Sequence, residues 1–313
     1  MAGGEAIGGN GAGLKRDALL RCLHGKGPRS WAQRLWASWH PRPPPTLLHL
    51  PPPTRQHLRD LAALSRRKGR DAQGQFLVEG VRSVEAALDG GAPLVEALVS
   101  DAASERGAAL VARLAAAGVP VHVLPARDLD RVGDARSSQG VVAVARRVVA
   151  GALPASAGRV LLLDGVQDPG NVGALVRTAA WFGAEAVVAD EATADFEGPK
   201  AVRAAMGGLW DVALVRVPAL APVLDALRAQ GVAVWGADLG GATARAWTPG
   251  GPAALVMGSE AHGLSPDVRE RLDGRVAIAA GRGGGGRGVE SLNVVVAAGV
   301  LLHQWLGQSD AAA

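Results

Sequence analysis

Residues 161–180 read LLLDGVQDPGNVGALVRTAA, the clearest strand-loop-helix pattern in the chain. The pattern predicts a buried strand over 160–164, a polar loop, and a helix from about Val172 to Phe182. A strand that feeds a helix through a glycine-containing loop places polar side chains at the carboxyl edge of a sheet, where α/β enzymes carry their chemistry. Asn171, at the predicted N-cap, and Arg177, on an otherwise apolar helix, are therefore candidate catalytic residues. In the simpler alternative, Asn171 only caps the helix and Arg177 only extends to solvent.

The composition is that of an ordinary globular protein. The chain has 313 residues, of which 48% are hydrophobic and 20% charged, so two domains with their own cores can form. No run of about twenty apolar residues occurs, and the sequence predicts no membrane span. The single Cys22 cannot form an internal disulfide and lies outside any His/Cys cluster. Neither a disulfide scaffold nor a metal site is therefore predicted.

The basic character of the chain is concentrated at its N-terminal end. Residues 1–60 hold nine Lys/Arg against three Asp/Glu, whereas residues 61–313 hold 24 against 26. Tryptophans at near-helical spacing lie beside several of these arginines. A basic, acid-poor, amphipathic segment is typical of an organellar transit peptide. We therefore interpret residues 1–53 as a signal for a mitochondrion or a chloroplast, outside the fold; the alternative is a disordered tail without a specific function.

Strands and helices alternate over residues 54–150 and again over residues 159–308. This alternation predicts two α/β domains joined by the Gly/Ala/Pro/Ser linker 151–158, with 309–313 as a tail. The strands of the second domain are short and continuously apolar, as in a parallel sheet that is covered on both faces. This domain lacks the G-x-G-x-x-G fingerprint, which argues against a dinucleotide-binding Rossmann domain.

A basic cluster lies just before the first apolar strand of the first domain. Its members are Arg66, Arg67, Lys68 and Arg70. Such a cluster suits contacts with phosphates, and these four side chains are candidate RNA-binding residues. The alternative is a solvated basic loop that has no partner.

Two further polar groups interrupt apolar segments near the C-terminus. Glu260 follows an apolar strand, and Ser291 and Asn293 open a long predicted helix that continues to Leu306. Because the carboxyl ends of parallel strands meet at one edge of a sheet, we expect these three side chains to join the polar residues of the first motif in one site.

These polar positions form three ordered motifs that resemble those of SpoU-type RNA 2′-O-ribose methyltransferases of the SPOUT class. The motifs are Asp164-x3-Asp168-Pro169-Gly170-Asn171-x-Gly173-x3-Arg177-Thr178-Ala179, then Gly258-Ser259-Glu260-x2-Gly263-Leu264, then Ser291-Leu292-Asn293-Val294. The resemblance extends over residues 55–306, because the first domain is also similar to the family's substrate-binding domain. Its matching segments are Phe76-Leu77-Val78-Glu79-Gly80 and Ser138-Gln139-Gly140.

The resemblance implies a trefoil knot in the second domain, one of the rare exceptions to the rule that chains do not thread loops. It implies that S-adenosylmethionine lies in that knot, held mainly by backbone groups at the matching positions Gly258, Ile278 and Leu292. It also implies a homodimer formed through the knotted domain.

By the same resemblance, the reaction transfers a methyl group from the sulfonium to a ribose 2′-hydroxyl of structured RNA, either rRNA or tRNA. The family assigns the activating role to the arginine at 177, with Asn171 and Glu260 positioning groups around it. Ser291 and Asn293 would orient the loop and the substrate. Because a guanidinium is a poor base, we interpret Arg177 as a clamp for the neighbouring phosphate and a stabiliser of developing alkoxide charge.

The chain departs from the family pattern at the cofactor loop. Where the family has an Ile-Pro-Met-like run soon followed by Ser-Leu-Asn, this chain has Ile278-Ala279-Ala280-Gly281 and then the Gly/Arg run 282–287. A longer loop costs little closure entropy, so the fold is expected to survive. The insertion leaves a second hypothesis open, that the protein is a catalytically silent relative that only binds RNA, for instance during ribosome assembly.

Overall fold

The computed structural model describes residues 52–103, 105–133, 139–280 and 290–307. The predicted targeting segment lies outside these ranges up to residue 51, and so do Ser138 and the run 282–287. Within the described ranges, no helix is both long enough and apolar enough to cross a membrane.

The N-terminal part is built on a four-stranded sheet flanked by short helices. In chain order its elements are α1 (Arg55–Ala63), α2 (Arg67–Gln73), β1 (Gln75–Glu79), α3 (Val81–Asp89), β2 (Leu94–Ser100), α4 (Glu105–Ala116), β3 (Val121–Leu124), α5 (Ala126–Leu129) and β4 (Val141–Arg146). The strand order is β1-β4-β2-β3, in which β4 is antiparallel to both β1 and β2, whereas β2 and β3 are parallel. The basic cluster opens α2, with Arg66 as its N-cap, and α2 ends at Gly74 in the left-handed conformation (φ 64°).

The second part is built on a six-stranded parallel sheet, as predicted. Its elements are β5 (Arg159–Asp164), α6 (Pro169–Trp181), β6 (Ala186–Ala189), α7 (Pro199–Ala205), β7 (Ala213–Arg216), α8 (Ala221–Ala229), β8 (Ala233–Thr243), β9 (Ala253–Gly258), α9 (Pro266–Arg269), β10 (Gly274–Ala277) and α10 (Val294–Leu306). The strand order is β10-β8-β9-β5-β6-β7, and every neighbouring pair is parallel. The α/β class predicted from the sequence is thereby confirmed.

Strand β5 lies in the interior of this sheet and is buried on both faces. Leu161 and Leu163 pack with α6 and α10 on one face, whereas Val160 and Leu162 pack with α8 and α9 on the other. None of these four side chains is exposed. A strand that is covered on both sides has no polar face, which is why the sequence shows an unbroken apolar run rather than an alternation.

Helices α6 and α10 lie side by side on one face of the sheet. A Cβ added to Gly299 of α10 would lie 3.9 Å from Cγ2 of Thr178 on α6. One turn further along both helices, the rings of Phe182 and His303 are 6.0 Å apart. The two helices therefore run parallel, and both begin at the carboxyl edge of the sheet.

The two parts share one hydrophobic cluster. Phe76 of β1 stacks on Trp210 of the second part, with ring centroids 5.8 Å apart and planes inclined by 19°. The linker 151–158 is anchored at both ends, because Ala150 forms a bridge to β7 and Ala157 is buried against the second sheet. The interface between the parts is therefore a packed core rather than a gap.

Three ion pairs cross the same interface. They are Arg70–Asp195 at 2.6 Å, Arg203–Glu79 at 2.8 Å, and Arg147–Glu197. Burial raises the pKa of Glu197, and the charge of Arg147 opposes that shift. Burial alone would also raise the pKa of Asp195, but the hydrogen bond from Arg70 keeps this pKa below its usual value. Buried carboxylates need such partners, so the interface depends on them.

The structure corrects the prediction that Arg70 binds RNA. This residue is only 4% exposed, and besides Asp195 its guanidinium donates to the backbone oxygens of Leu64 at 3.0 Å and Ser65 at 3.1 Å. The helical geometry of α2 turns position 70 inward while residues 66–68 stay exposed. Arg70 therefore joins the two parts of the protein instead of meeting a phosphate.

We expect Gly173→Ala to destabilise the protein by about 1–3 kcal/mol, because α6 and α7 pack backbone against backbone at this position. A Cβ on Gly173 would lie 2.1 Å from the carbonyl oxygen of Ala201, so the helices would have to separate. The control is Gly250→Ala, where the added Cβ meets nothing within 4 Å. Urea unfolding of both variants measures the difference, and equal midpoints would contradict the expected clash.

Candidate active site

Helix α6 begins with a capped first turn that positions Asn171. Asp168 is the N-cap: its Oδ1 accepts the backbone N–H of Asn171 at 2.9 Å, and its Oδ2 pairs with Lys200 at 2.7 Å. The hydrogen bond from Lys200, followed by that from the N–H of Asn171, lowers the pKa of Asp168. The prediction that Asn171 caps the helix is therefore wrong, because Pro169 occupies the first helical position and Asp168 precedes it. The side chain of Asn171 is left free for another partner.

The side chain of Asn171 connects the three sequence motifs. Its Nδ2 donates to Oε1 of Glu260 at 2.7 Å, and its Oδ1 faces Nδ2 of Asn293 at 3.4 Å. Asn293 in turn caps α10 by accepting the backbone N–H of Val295 at 2.9 Å. Three of the five predicted catalytic residues, from segments far apart in the chain, are therefore joined through Asn171.

A tight turn after β9 presents Glu260. Ser259 and Gly263 exchange backbone hydrogen bonds of 3.0 and 2.8 Å, which closes the turn below Glu260. Gly263 adopts the left-handed conformation (φ 67°), and a Cβ on Gly258 would lie 2.4 Å from the carbonyl carbon of Gly263. Both glycines of the second motif are therefore required by the turn itself.

A cavity of about 550 Å³, called the first cavity below, opens beside this group. The predicted cofactor positions Gly258, Ile278 and Leu292 line it, together with Ser291. One wall is apolar and buried, and the rim carries carboxylates; the residues are Met257, Val276 and Leu301 in the wall and Asp238, Glu260 and Glu290 at the rim. The volume is in the usual range for a small-molecule site, and carboxylates favour a positively charged sulfonium. The residues present therefore fit S-adenosylmethionine.

Arg177 lies apart from this cavity within one chain. It is six residues after Asn171, which places it about 240° around the helix and about 9 Å along its axis. Its side chain is exposed, does not line the first cavity, and makes no hydrogen bond or ion pair with any residue in the described ranges. The structure therefore brings Asn171, Glu260, Ser291 and Asn293 to one place, but not Arg177.

Sequence reasoning missed two features of the site. The cap at Asp168 could have been found from the Asp-Pro pair, which is a helix-start signal, whereas its contact with Lys200, 32 residues away, has no local signal. Asp238 lines the first cavity and pairs with Arg269 at 3.2 Å. It lies inside β8, directly after the largely apolar run 232–237, and that position was the available signal. The described residues contain no group of three or more His, Cys, Asp or Glu that could hold a metal ion.

Two family models match the chain. The model of the SpoU rRNA methylase family matches residues 158–303, and that of the MRM3-like substrate binding domain matches residues 55–143. Among similar proteins, the 23S rRNA (guanosine(2553)-2′-O)-methyltransferase of Bacillus subtilis is 32% identical, over 80% of this chain and 96% of the relative. The 23S rRNA (guanosine-2′-O-)-methyltransferase RlmB of Xanthomonas axonopodis is 35% identical, over 75% of this chain and 97% of the relative.

Solved structures agree with this assignment. A putative RNA methyltransferase of the TrmH family from Porphyromonas gingivalis has a TM-score of 0.70 and 34% identity, covering 82% of this chain and 99% of its own. The SpoU methyltransferase AviRb from Streptomyces viridochromogenes, in complex with the cofactor AdoMet, has a TM-score of 0.69 and 28% identity, covering 80% and 97%. The predicted fold class, enzyme class and cofactor are thereby confirmed. The chain belongs to the SpoU family of RNA 2′-O-ribose methyltransferases, which have the SPOUT fold and use S-adenosylmethionine.

Proposed function

We propose that the protein methylates the 2′-hydroxyl of a nucleotide in ribosomal RNA, with S-adenosylmethionine as the methyl donor. The observation that carries the proposal is the hydrogen-bonded group of Asn171, Glu260 and Asn293 beside a cavity that fits this cofactor. Two relatives are named as 23S rRNA enzymes, which favours ribosomal over transfer RNA.

The protein's part in this reaction is alignment and charge stabilisation. S-adenosylmethionine supplies an electrophilic methyl group on a positively charged sulfur. When bound, it would give this methyl group to the ribose 2′-oxygen and leave as S-adenosylhomocysteine, and the hydroxyl proton would pass to solvent. Asn171, fixed by Glu260 and Asn293, orients the ribose so that its oxygen is in line. Arg177 holds the adjacent phosphate and stabilises the negative charge that develops on the oxygen.

We expect purified protein to transfer label from methyl-labelled S-adenosylmethionine to ribosomal RNA transcribed in vitro. Arg177→Ala should lower kcat by about 10²–10³-fold, because loss of one donor to a developing oxyanion has that effect. Arg228→Ala is the control: this exposed helix arginine lies in the last turn of α8, at the amino edge of the sheet, and its only carboxylate partner among the described residues is the exposed Asp273 at 3.0 Å. Scintillation counting measures transfer, and circular dichroism checks folding.

Three results of this assay would change the proposal. Near-wild-type turnover of Arg177→Ala would contradict the role given to that residue. Transfer of label to tRNA but not to rRNA would identify transfer RNA, rather than ribosomal RNA, as the substrate. Binding of RNA without cofactor binding or transfer would favour the catalytically silent alternative, for which the Gly/Arg insertion at 282–287 is the motivating feature.

A homodimer is also part of the proposal. Trp181 on α6 is 84% exposed, and Val296 and Val300 on α10 are 52% and 42% exposed. Because α6 and α10 run parallel on the same face of the sheet, these side chains form an exposed apolar face, called the helix face below. Exposed apolar surface of this kind marks interaction sites, and a second copy of the chain is the occupant that the family resemblance implies.

A homodimer would also explain how Arg177 can take part in catalysis although it lies away from the cavity of its own chain. Arg177 is one turn before Trp181 on the helix face, and Leu292, which lines the first cavity and is 47% exposed, immediately precedes the cap of α10. The helix face thus continues to the mouth of the cavity. A second copy seated on this face would bring Arg177 of one subunit to the cavity of the other.

We expect a solution mass about twice that of the chain in sedimentation equilibrium. Val296→Asp should give monomers, because it buries a charge in the interface. Val123→Asp is the control, since Val123 is a comparably exposed valine (41%) on the N-terminal sheet.

Co-expression of Arg177→Ala with Asn171→Ala should restore transfer, because one site of the mixed dimer then has both residues. Absence of restoration would place Arg177 in the same chain's site.

The exposed side of α2 is the proposed contact for the RNA backbone. Arg66, Arg67 and Lys68 are all exposed there, and among the described residues only Arg67 has a carboxylate within ion-pair distance, Asp71 at 3.7 Å. An exposed pair at that distance contributes little, so all three charges remain available to phosphates.

We infer further that residues 1–53 direct the protein to an organelle. The support is the basic, acid-poor composition of this segment. A fusion of these residues to a fluorescent protein in plant cells, which hold both candidate organelles, is expected to locate to mitochondria or chloroplasts. The matched fusion carries Arg29→Glu and Arg34→Glu and should stay in the cytosol. Cytosolic fluorescence of the unchanged fusion would contradict the assignment.

A further inference from the structure

A second cavity, of about 570 Å³, lies at the carboxyl ends of β5, β6 and β9. Only the turn that carries Glu260 separates it from the first cavity, since Ser259, Gly263, Leu264 and Arg269 line both. A molecule in the second cavity would therefore lie directly beside the methyl-transfer site.

Asp190 offers a fixed carboxylate oxygen in this cavity. Its Oδ1 accepts the backbone N–H groups of Gly165 at 3.2 Å and Thr193 at 2.9 Å, and the hydroxyl of Thr193 lies 2.6 Å away. Its Oδ2 accepts no hydrogen bond from the described residues. The carboxylate thus has one oxygen saturated by the protein and one oxygen available to a ligand.

The other walls suit a flat ring better than a phosphate. Ala192, Leu264 and Pro266 provide apolar sides. Asp164 adds a second carboxylate, whose Oδ2 accepts the N–H of Ser265 at 2.6 Å. His262 and Arg269 also line the cavity, but the guanidinium of Arg269 is occupied by Asp238 at 3.2 Å and by the carbonyl oxygen of Leu264 at 3.0 Å. The available carboxylate oxygen of Asp190 repels a phosphate, whereas it accepts readily from the donors on the edge of a nucleobase.

The loop that carries Asp190 is held in place from both sides. The guanidinium of Arg216 donates to the carbonyl oxygens of Ala194 at 3.2 Å and Glu191 at 3.3 Å. Further along the same loop, Asp195 is paired with Arg70. A site whose polar groups are fixed before binding does not have to order them on binding, which favours selectivity.

The same ion pair relates the second cavity to the proposed RNA contact. Asp195 binds Arg70 on the inner side of α2, and Arg66, Arg67 and Lys68 are exposed on its outer side. RNA whose phosphates contact α2 therefore passes close to the loop that forms one wall of the cavity.

We propose that the second cavity binds the base of the nucleotide to be methylated, and that Asp190 selects guanine. This inference rests on the proposed methyltransferase function. Guanine places two adjacent donors, N1–H and N2–H, on its Watson–Crick edge, and both can point at the available Oδ2 of Asp190. Adenine, cytosine and uracil each place an acceptor next to the donor, and that acceptor would face the carboxylate. The base reaches the cavity by turning out of its stack.

Asp190→Asn tests this selection without removing the contacts that hold the loop. The N–H groups of Gly165 and Thr193 require an acceptor at the Oδ1 position, so the new amide must place its NH2 where Oδ2 was. The position that accepts hydrogen bonds in the wild type then carries an NH2 group, which faces the N1–H and N2–H donors of guanine. We expect kcat/KM for in vitro transcribed large-subunit ribosomal RNA to fall about ten- to a hundredfold. The affinity for S-adenosylmethionine and the unfolding midpoint should stay unchanged.

Glu191→Gln is the matched control, because it removes an exposed carboxylate from the adjacent position, which does not line the cavity. Mass spectrometry of the digested wild-type product should find 2′-O-methylguanosine. Methylation of another nucleoside, or a kcat/KM for Asp190→Asn within about twofold of the control, would overturn the role of Asp190 and leave the proposed function standing. Absence of transfer by the wild-type protein would overturn the proposed function and this inference with it.

Discussion

The site depends on the side-chain amide of Asn171, which joins three loops of the catalytic sheet. An amide donates and accepts at once, so it can bind the carboxylate of Glu260 and the amide of Asn293 in the same plane. It can do so only because Asp168 takes over the N-cap and accepts the backbone N–H of Asn171. Since Asn293 also caps α10, the site and the first turns of two parallel helices are fixed by the same contacts.

The position of helix α6 is set by close packing on both sides. Gly173 lets the backbone of α7 approach, and α10 lies along the opposite side. Helix α7 also reaches the N-terminal part, through Arg203 and Glu79. Helix α7 therefore links α6, which carries Asn171, to the N-terminal part of the protein, which is proposed to bind the RNA. Buried ion pairs are costly to break once formed, so this interface is specific as well as apolar.

Several features could be predicted from the sequence because they follow from local periodicity. The apolar run of β5 indicated a covered parallel strand, and the structure has one. At three individual side chains, the structure adds what the sequence could not show. Arg70 is buried because α2 places it on its inner side. Asp168, rather than Asn171, is the N-cap of α6. Arg177 does not line the first cavity of its own chain. In each case a rotation about a helix axis or a shift of the helix start decided the outcome, and helix ends are the least certain part of a sequence prediction.

The sequence by itself determined the class of fold, the family and the identity of the polar residues in its three motifs, because these depend on short-range patterns and on glycines that a tight turn requires. Only the tertiary structure decided which of those residues meet. The hydrogen bond from Asn171 to Glu260 joins positions 89 residues apart, and that from Arg70 to Asp195 joins positions 125 apart. The second cavity, with the open oxygen of Asp190, likewise exists only where β5, β6 and β9 end side by side. Contacts at such separations are set by strand order and packing, which no local pattern encodes.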